Sequence, residues 1–291
     1  MAKAELVAEG LTFGEGPRWR EGRLWLSDFH DHAVKSVGPD GRLRTEIELD
    51  DQPSGLGWLP DGRLLVVAMT SRRLLRREPD GRLVTHADLS AVATFHTNDM
   101  VVDAQGRAYV GNFGFDLDHA LETRGIPDVL AHHATATLAR VDPDGRVHEA
   151  ATELHFPNGT VITPDGRTLI LAETLAARLT AFDVAPDGAL SRRRVFADIP
   201  GCAPDGICLD AEGAIWVANA IAPECVRVRE GGEIAERVQT DQPCYACMLG
   251  GDDGRTLYAL TAATSIAREA RAKRSGRVLA ARVAVPHAGL P

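Results

Sequence analysis

One turn signal, repeated from end to end, constrains the fold of this chain more than any other feature. Asp-Gly-Arg or a close variant recurs at Gly22, Gly41, Gly62, Gly81, Gly106, Gly145, Gly166, Gly188, Gly213, Gly232 and Gly254, with a weaker match at Gly276. Asp-Gly between alternating apolar runs marks a hairpin, because glycine supplies the positive φ that tight turns need. The turns come in pairs, and a short strand follows the first of each: GRLWLSD, GRLLVVA, GRAYVGN, GRTLILAE, GAIWVAN and GRTLYALT. These first glycines (22, 62, 106, 166, 213 and 254) lie 40, 44, 60, 47 and 41 residues apart. A unit of about 40–45 residues with four short strands is the period of a β-propeller blade. Six such units fill the chain, so the expected fold is all-β: a single six-bladed β-propeller over residues 1–291 with a central channel. A sandwich or solenoid built from the same hairpins is the competing reading, and the complete count of six similar units disfavours it.

The last unit is one strand short. Its strands fall near Tyr245–Leu249, Thr256–Thr261 and Arg277–Val285, after which the chain ends. The N-terminal stretch Glu5–Ala8 is expected to supply the missing outer strand and close the ring, removing an exposed edge. The long interval arises after Asn112, where residues 113–135 form an inserted loop expected over the channel mouth. Long loops in compact domains tend to be functional. Helical periodicity is confined to a turn or two at Asp118–Arg124 and at Ile266–Arg274.

With 44% hydrophobic residues the chain can bury a large core, and its formal charge of −9 argues against nucleic acid or an anionic membrane as partner. The one arginine cluster (Arg72, Arg73, Arg76, Arg77) reads as the solvated edge of a sheet. The N-terminal MAKAELVAEG has no secretory h-region, and nowhere is there an apolar span of about 18 residues. The expected setting is cytoplasmic and the expected partner a small molecule, with oligomeric state left open. Cys202, Cys208, Cys225, Cys244 and Cys247 are an odd, sparse set that reads as buried reduced thiols. Although Cys244 and Cys247 form a C-x-x-C, no second pair completes a zinc site.

Aligning the six units on their first turns brings Glu15, Ser54, Asn98, Asn158, Asp205 and Ala246 into register near the start of each innermost strand. In a propeller, equivalent positions on innermost strands form a ring around the axis. Two carboxylates and two carboxamides in one narrow channel would be poorly solvated and mutually repulsive unless a cation joined them. Carboxylate and carboxamide oxygens are the ligands that hard divalent ions prefer. One divalent metal ion is therefore expected on Glu15, Asn98, Asn158 and Asp205. Ca²⁺ is the first choice, with Mg²⁺, Mn²⁺ and Zn²⁺ as alternatives, since no histidine falls in the ring. Polar residues lining a water-filled channel are the plainer reading of each residue taken singly.

The following strands end at Asp28, Ala68, Asn112, Glu173, Asn219 and Thr261, a second ring expected to be wider. Asp28, Asn112, Glu173 and Asn219 are accordingly candidates for substrate contact, as is His96, two residues before Asn98. Asp99, beside Asn98, is a candidate catalytic group. His30, His32, His119, His132 and His133 read as solvated loop side chains.

Four strings, LTFGEGPRW, FHTNDMVVDAQGRAYVGN, FPNGTVITPDGRTLILAET and APDGICLDAEGAIWVAN, together resemble the regucalcin/gluconolactonase (senescence marker protein) family of metal-dependent lactonases. The likeness runs over essentially the whole chain. It implies a six-bladed propeller with one Ca²⁺ or other divalent ion held by Glu15, Asn158 and Asp205. It also implies that Asn98 binds substrate or completes the metal shell. Sugar lactonases of this family commonly carry Arg-x-Asn-Asp-Gly where this chain has His96-Thr97-Asn98-Asp99-Met100, which argues against gluconolactone itself. Phe113, Phe115 and Leu117 in the insertion point to a less polar lactone or ester.

The expected activity is thus metal-assisted opening of a small-molecule lactone, a carboxylic ester hydrolysis. The metal polarises the carbonyl and Asp205 acts as general base, with Asp99 or Glu173 as alternatives in that role. Competing readings are an organophosphate or other ester hydrolase on the same scaffold, and a non-catalytic propeller that binds calcium or a partner protein. Serine-nucleophile chemistry is disfavoured, because no G-x-S-x-G occurs.

Overall fold

The computed structural model describes residues 2–289 as six β-sheets arranged around one axis. Each blade is an antiparallel four-stranded meander. The innermost strands are Gly14–Arg20, Pro53–Trp58, Thr97–Val102, Pro157–Ile162, Pro204–Leu209 and Cys244–Gly250. Each packs against the innermost strands of both neighbouring blades, and the sixth packs against the first, so the ring is closed.

The burial pattern follows from this packing. Pro157–Ile162 and Pro204–Leu209 are buried at every residue, as befits strands covered on both faces. The outermost Leu190–Asp198 is exposed over most of its length and carries Ser191, Arg192, Arg193 and Arg194 there. Between blades lie apolar layers, one of them containing Trp216, Leu249, Leu257 and Leu279 from blades five and six. All five cysteines are buried free thiols, with the Cys225 and Cys244 sulfurs 3.4 Å apart between those blades.

The strand Glu5–Leu11 pairs antiparallel with Gly276–Arg282 and is the outer strand of blade six, which joins the start of the chain to its end. Ala2–Lys3 adds an unexpected fifth strand, parallel to the outer edge of blade five at Val238 and Gln239. The insertion is more ordered than a loop. It forms a helix, α1 (Leu117–His132), capped by Asp116 and broken at Gly125, where φ is 77° and ψ 164°. Periodicity marks only its first part, Asp118–Arg124, since Gly125 and Pro127 interrupt the pattern beyond. A second short helix, α2 (Ala267–Lys273), joins the second and third strands of blade six. Among the described residues no helix is long and apolar enough to cross a membrane.

Candidate active site

Every innermost strand breaks its register at the ring position. The irregularities fall between Glu15 and Arg18, Pro53 and Leu56, Thr97 and Met100, Pro157 and Thr160, Pro204 and Ile207, and Cys244 and Ala246. A β-bulge bends a strand and re-aims one side chain, which is how six strands present matching residues at one level. The glycine that follows most ring residues permits the close approach this needs. A Cβ on Gly159 would stand 2.5 Å from both Asp205 O and Ile207 N, and one on Gly206 would stand 2.7 Å from Ala246 Cα. The Asn-Gly and Asp-Gly pairs of the ring are thus packing requirements between blades.

Glu15, Asn98, Asn158 and Asp205 are all buried, none more than 8% exposed. Glu15 has its pKa raised well above the ordinary carboxylate range, first by burial and then by the charges of Asp205 and Asp99. Asp205 is raised likewise, by burial and by Asp99, with the Asn158 amide offsetting part of the effect. Three carboxylates therefore share one dry region. Asp205 Oδ1 and Asn98 Oδ1 are buried without any hydrogen-bond partner, while Asn98 Nδ2 donates to Pro157 O at 3.0 Å. Buried acceptors without partners cost roughly 1–3 kcal/mol each, so such a pair invites an explanation.

Two carboxylates and two carboxamides, with orphaned oxygens on Asp205 and Asn98, fit a hard divalent ion. They do not fit a zinc centre of the His/Cys kind. Among the described residues no three His, Cys, Asp or Glu side chains are gathered as a metal site without the help of amides.

Asp99 joins this region with a partner that the sequence reading missed. Arg18, buried on the innermost strand of blade one, donates from Nη2 to Asp99 Oδ1 at 3.2 Å and to the Met100 carbonyl, and from Nη1 to Pro17 O at 2.7 Å. Asp99 Oδ1 also accepts from Met100 N at 2.8 Å. An arginine on a strand otherwise reading as innermost was the available signal, since a buried cation demands a buried anion.

The second ring is not a substrate surface. Asp28, Asn112, Glu173 and Asn219 are at most 1% exposed, and their polar atoms are spent within their own blades. Asp28 accepts from Thr12 N, Phe13 N and Lys35 Nζ. Asn112 bridges Thr137 O and Gly114 N, while Asn219 Oδ1 accepts from Ala203 N at 3.1 Å. Glu173 accepts from His155 N at 2.8 Å, from Arg178 and Arg193, and from Thr180. The strand ends tie down the loops that lead into the ring strands and so hold the ring from behind. This also removes Glu173 as a base: burial pushes its pKa up, but Thr180, the His155 N–H and the two arginines outweigh that and hold it low. Glu173→Gln is accordingly expected to cost about 3 kcal/mol of stability by leaving arginines unpaired, with turnover per folded molecule little changed. Urea unfolding alongside a rate assay checks this, and lost turnover at wild-type stability would contradict it.

His96 stands at the approach to the ring, stacked on Phe95 with centroids 4.2 Å apart and 6.1 Å from Phe113. Its pKa is lowered, chiefly by burial, so the imidazole is neutral. Asp118, in the first turn of α1, has its pKa raised, first by burial and then by the neighbouring Asp116 and Glu122.

The comparisons with known proteins agree with this fold. The model of the SMP-30/Gluconolactonase/LRE-like region matches residues 13–263. Regucalcin of Danio rerio is 30% identical over 277 residues, covering 92% of this chain and 89% of that protein. A 6-deoxy-6-sulfogluconolactonase of Pseudomonas putida is 26% identical, covering 98% of this chain and 96% of that protein. The crystal structure of a calcium-binding regucalcin from Agrobacterium tumefaciens superposes with a TM-score of 0.80 at 21% identity, covering 100% of this chain and 96% of the other.

Proposed function

Since the chain belongs to the SMP-30/gluconolactonase/LRE-like family, we propose that it is a divalent-metal-dependent hydrolase that opens the ring of a small-molecule lactone. The observation that carries this reading is the set of buried channel oxygens, with Asp205 Oδ1 and Asn98 Oδ1 lacking any protein partner. Lactonase relatives support the reaction class, and the Agrobacterium neighbour is described as calcium-binding.

Glu15, Asn158 and Asp205 would hold the ion, Ca²⁺ in the first instance, and when bound it would supply Lewis-acid polarisation of the ester carbonyl. Asp205 is the general base. Its unpartnered Oδ1 takes the proton of the attacking water and returns it to the alkoxide that leaves as the ring opens, so that lactone and water give one hydroxy acid. Asn98 orients the substrate. Asp99, fixed by Arg18 and by Met100 N, is a weaker candidate for the base because Oδ1 is already shared between two donors.

The test is hydrolysis of a lactone panel by metal-stripped protein with Ca²⁺, Mg²⁺, Mn²⁺ or Zn²⁺ added back, one phosphotriester being included. Turnover of lactones restored by metal supports the reading. Turnover of the phosphotriester alone, or of nothing despite stoichiometric metal binding, would replace it with another hydrolase or with a binding protein.

The raised carboxyls also set a pH dependence. A carboxyl whose pKa is raised on folding stabilises the fold below its unfolded pKa and loses that contribution as pH rises through the raised value. From the ordinary carboxylate range up to the raised pKa values, the metal-free protein should therefore lose stability at Glu15 and Asp205. Bound metal relieves the same repulsion, so the rise in Tm on adding Ca²⁺ should grow over that interval. An equal rise at both ends would contradict it.

A further inference from the structure

The approach to the ring is walled by aromatic side chains that no part of the proposed chemistry uses. Phe13 stands two residues before Glu15, His96 two before Asn98 and Phe156 two before Asn158, while Tyr245 directly precedes Ala246. Phe13 meets Tyr245 edge-on with centroids 4.6 Å apart, and Phe113 meets Phe156 at the same distance. Phe13, Phe29, Met69 and Ala262 form one buried cluster, against which Phe113 and Tyr245 both pack. These side chains therefore run as an arc from blade six through blades one, two and three to Phe156 at blade four, most of them buried, with Phe113 and Tyr245 only partly covered. The arc adjoins the ring through the chain itself, since Phe13 and Phe156 lie two residues before Glu15 and Asn158.

The polar side chains set into this arc are weak donors for a sugar. His96 lies nearly flat on Phe95, with ring centroids 4.2 Å apart and the planes 25° from parallel. His30 is already within hydrogen-bond distance of Ser265 O and Gln52 Nε2. A polyhydroxylated lactone pressed against this wall would leave several hydroxyls without partners, each a penalty. An apolar substituent would instead gain by leaving water, about threefold to fourfold in affinity for each methylene buried.

We propose, resting on the lactonase reading above, that the site takes lactones bearing an alkyl or aryl substituent on the ring, and that Phe113 and Phe156 form the seat of that substituent. The carbonyl then sits at Glu15, Asn158 and Asp205 while the substituent lies along the aromatic arc. His96, a ring packed against Phe95 and Phe113, extends that seat.

The test is kcat/KM of metal-loaded protein for γ-lactones with side chains from methyl to hexyl, one phenyl-substituted lactone, and glucono-δ-lactone. The expected result is a rise of about threefold per methylene over the first three or four, with the best alkyl or aryl lactone more than 30-fold above gluconolactone. Phe113→Ser, at a half-buried position, should flatten the slope. In parallel, calorimetric binding of the matching γ-lactams, which resist hydrolysis, reads the preference of the seat without turnover. A flat series with gluconolactone preferred would overturn the proposal and leave the lactonase reading standing. Should no lactone turn over, that reading fails, and the lactams still decide the seat: alkyl lactams binding no tighter than the unsubstituted ring would overturn it.

Discussion

Asp205→Ala is expected to abolish lactone turnover, by at least 10³-fold, in a protein that remains folded. The size follows from two losses at one residue. The variant removes a metal-holding carboxylate, and with it the carbonyl polarisation, and it removes the base, each worth roughly two or more orders of magnitude. Stability should not fall in parallel. In the metal-free protein Asp205 is a buried acid beside other acids, with Oδ1 lacking a partner. Deleting it relieves repulsion, so the metal-free variant should be at least as stable as metal-free wild type. Activity, metal content and thermal unfolding, measured on the same preparations, separate this from simple misfolding. A variant retaining a tenth of wild-type turnover would mean that Asp205 is neither ligand nor base.

Gly159→Ala should be among the most damaging single methyl additions in the molecule. The added Cβ would lie 2.5 Å from Asp205 O and from Ile207 N, and neither is the end of a flexible side chain. Relief requires blades four and five to part where their innermost strands touch, and the bulges that carry Asn158 and Asp205 would move with them. Overpacking of this kind costs about 3 kcal/mol, or roughly 6–12 °C in Tm for a domain of this size. Metal affinity should fall as well, because two of its proposed holders sit on the displaced strands. Gly166→Ala provides the contrast: a Cβ there meets nothing within 4 Å, so only its positive φ of 70° opposes the change. Equal effects of the two substitutions would show that turn strain, and not the approach of blades, governs the ring.

What was legible in the sequence was periodic. Paired turns at regular spacing revealed six blades, and the same register puts Glu15, Asn98, Asn158 and Asp205 at matching positions on their innermost strands. What escaped depends on contacts between different blades, which no local pattern encodes. Arg18 meets Asp99 from 81 positions away, and Phe13 meets Tyr245 across the junction of the first and last blades. The second ring misled because strand-end acids look alike in sequence whether they face a ligand or a loop amide. Asp28 and Glu173 bind backbone N–H groups of their own blades, and only the partners reveal it. Only the first part of helix α1, a turn or two at Asp118–Arg124, was legible, because Gly125 and Pro127 interrupt the rest.

The most direct test of the account is a calorimetric titration of metal-stripped protein with Ca²⁺. One site per chain is expected, absent in Asp205→Ala and weakened in Glu15→Gln, with protons released on binding because raised carboxyls must ionise. Failure to bind any divalent ion, or binding left unchanged by both substitutions, would contradict the assignment of these channel oxygens to a metal.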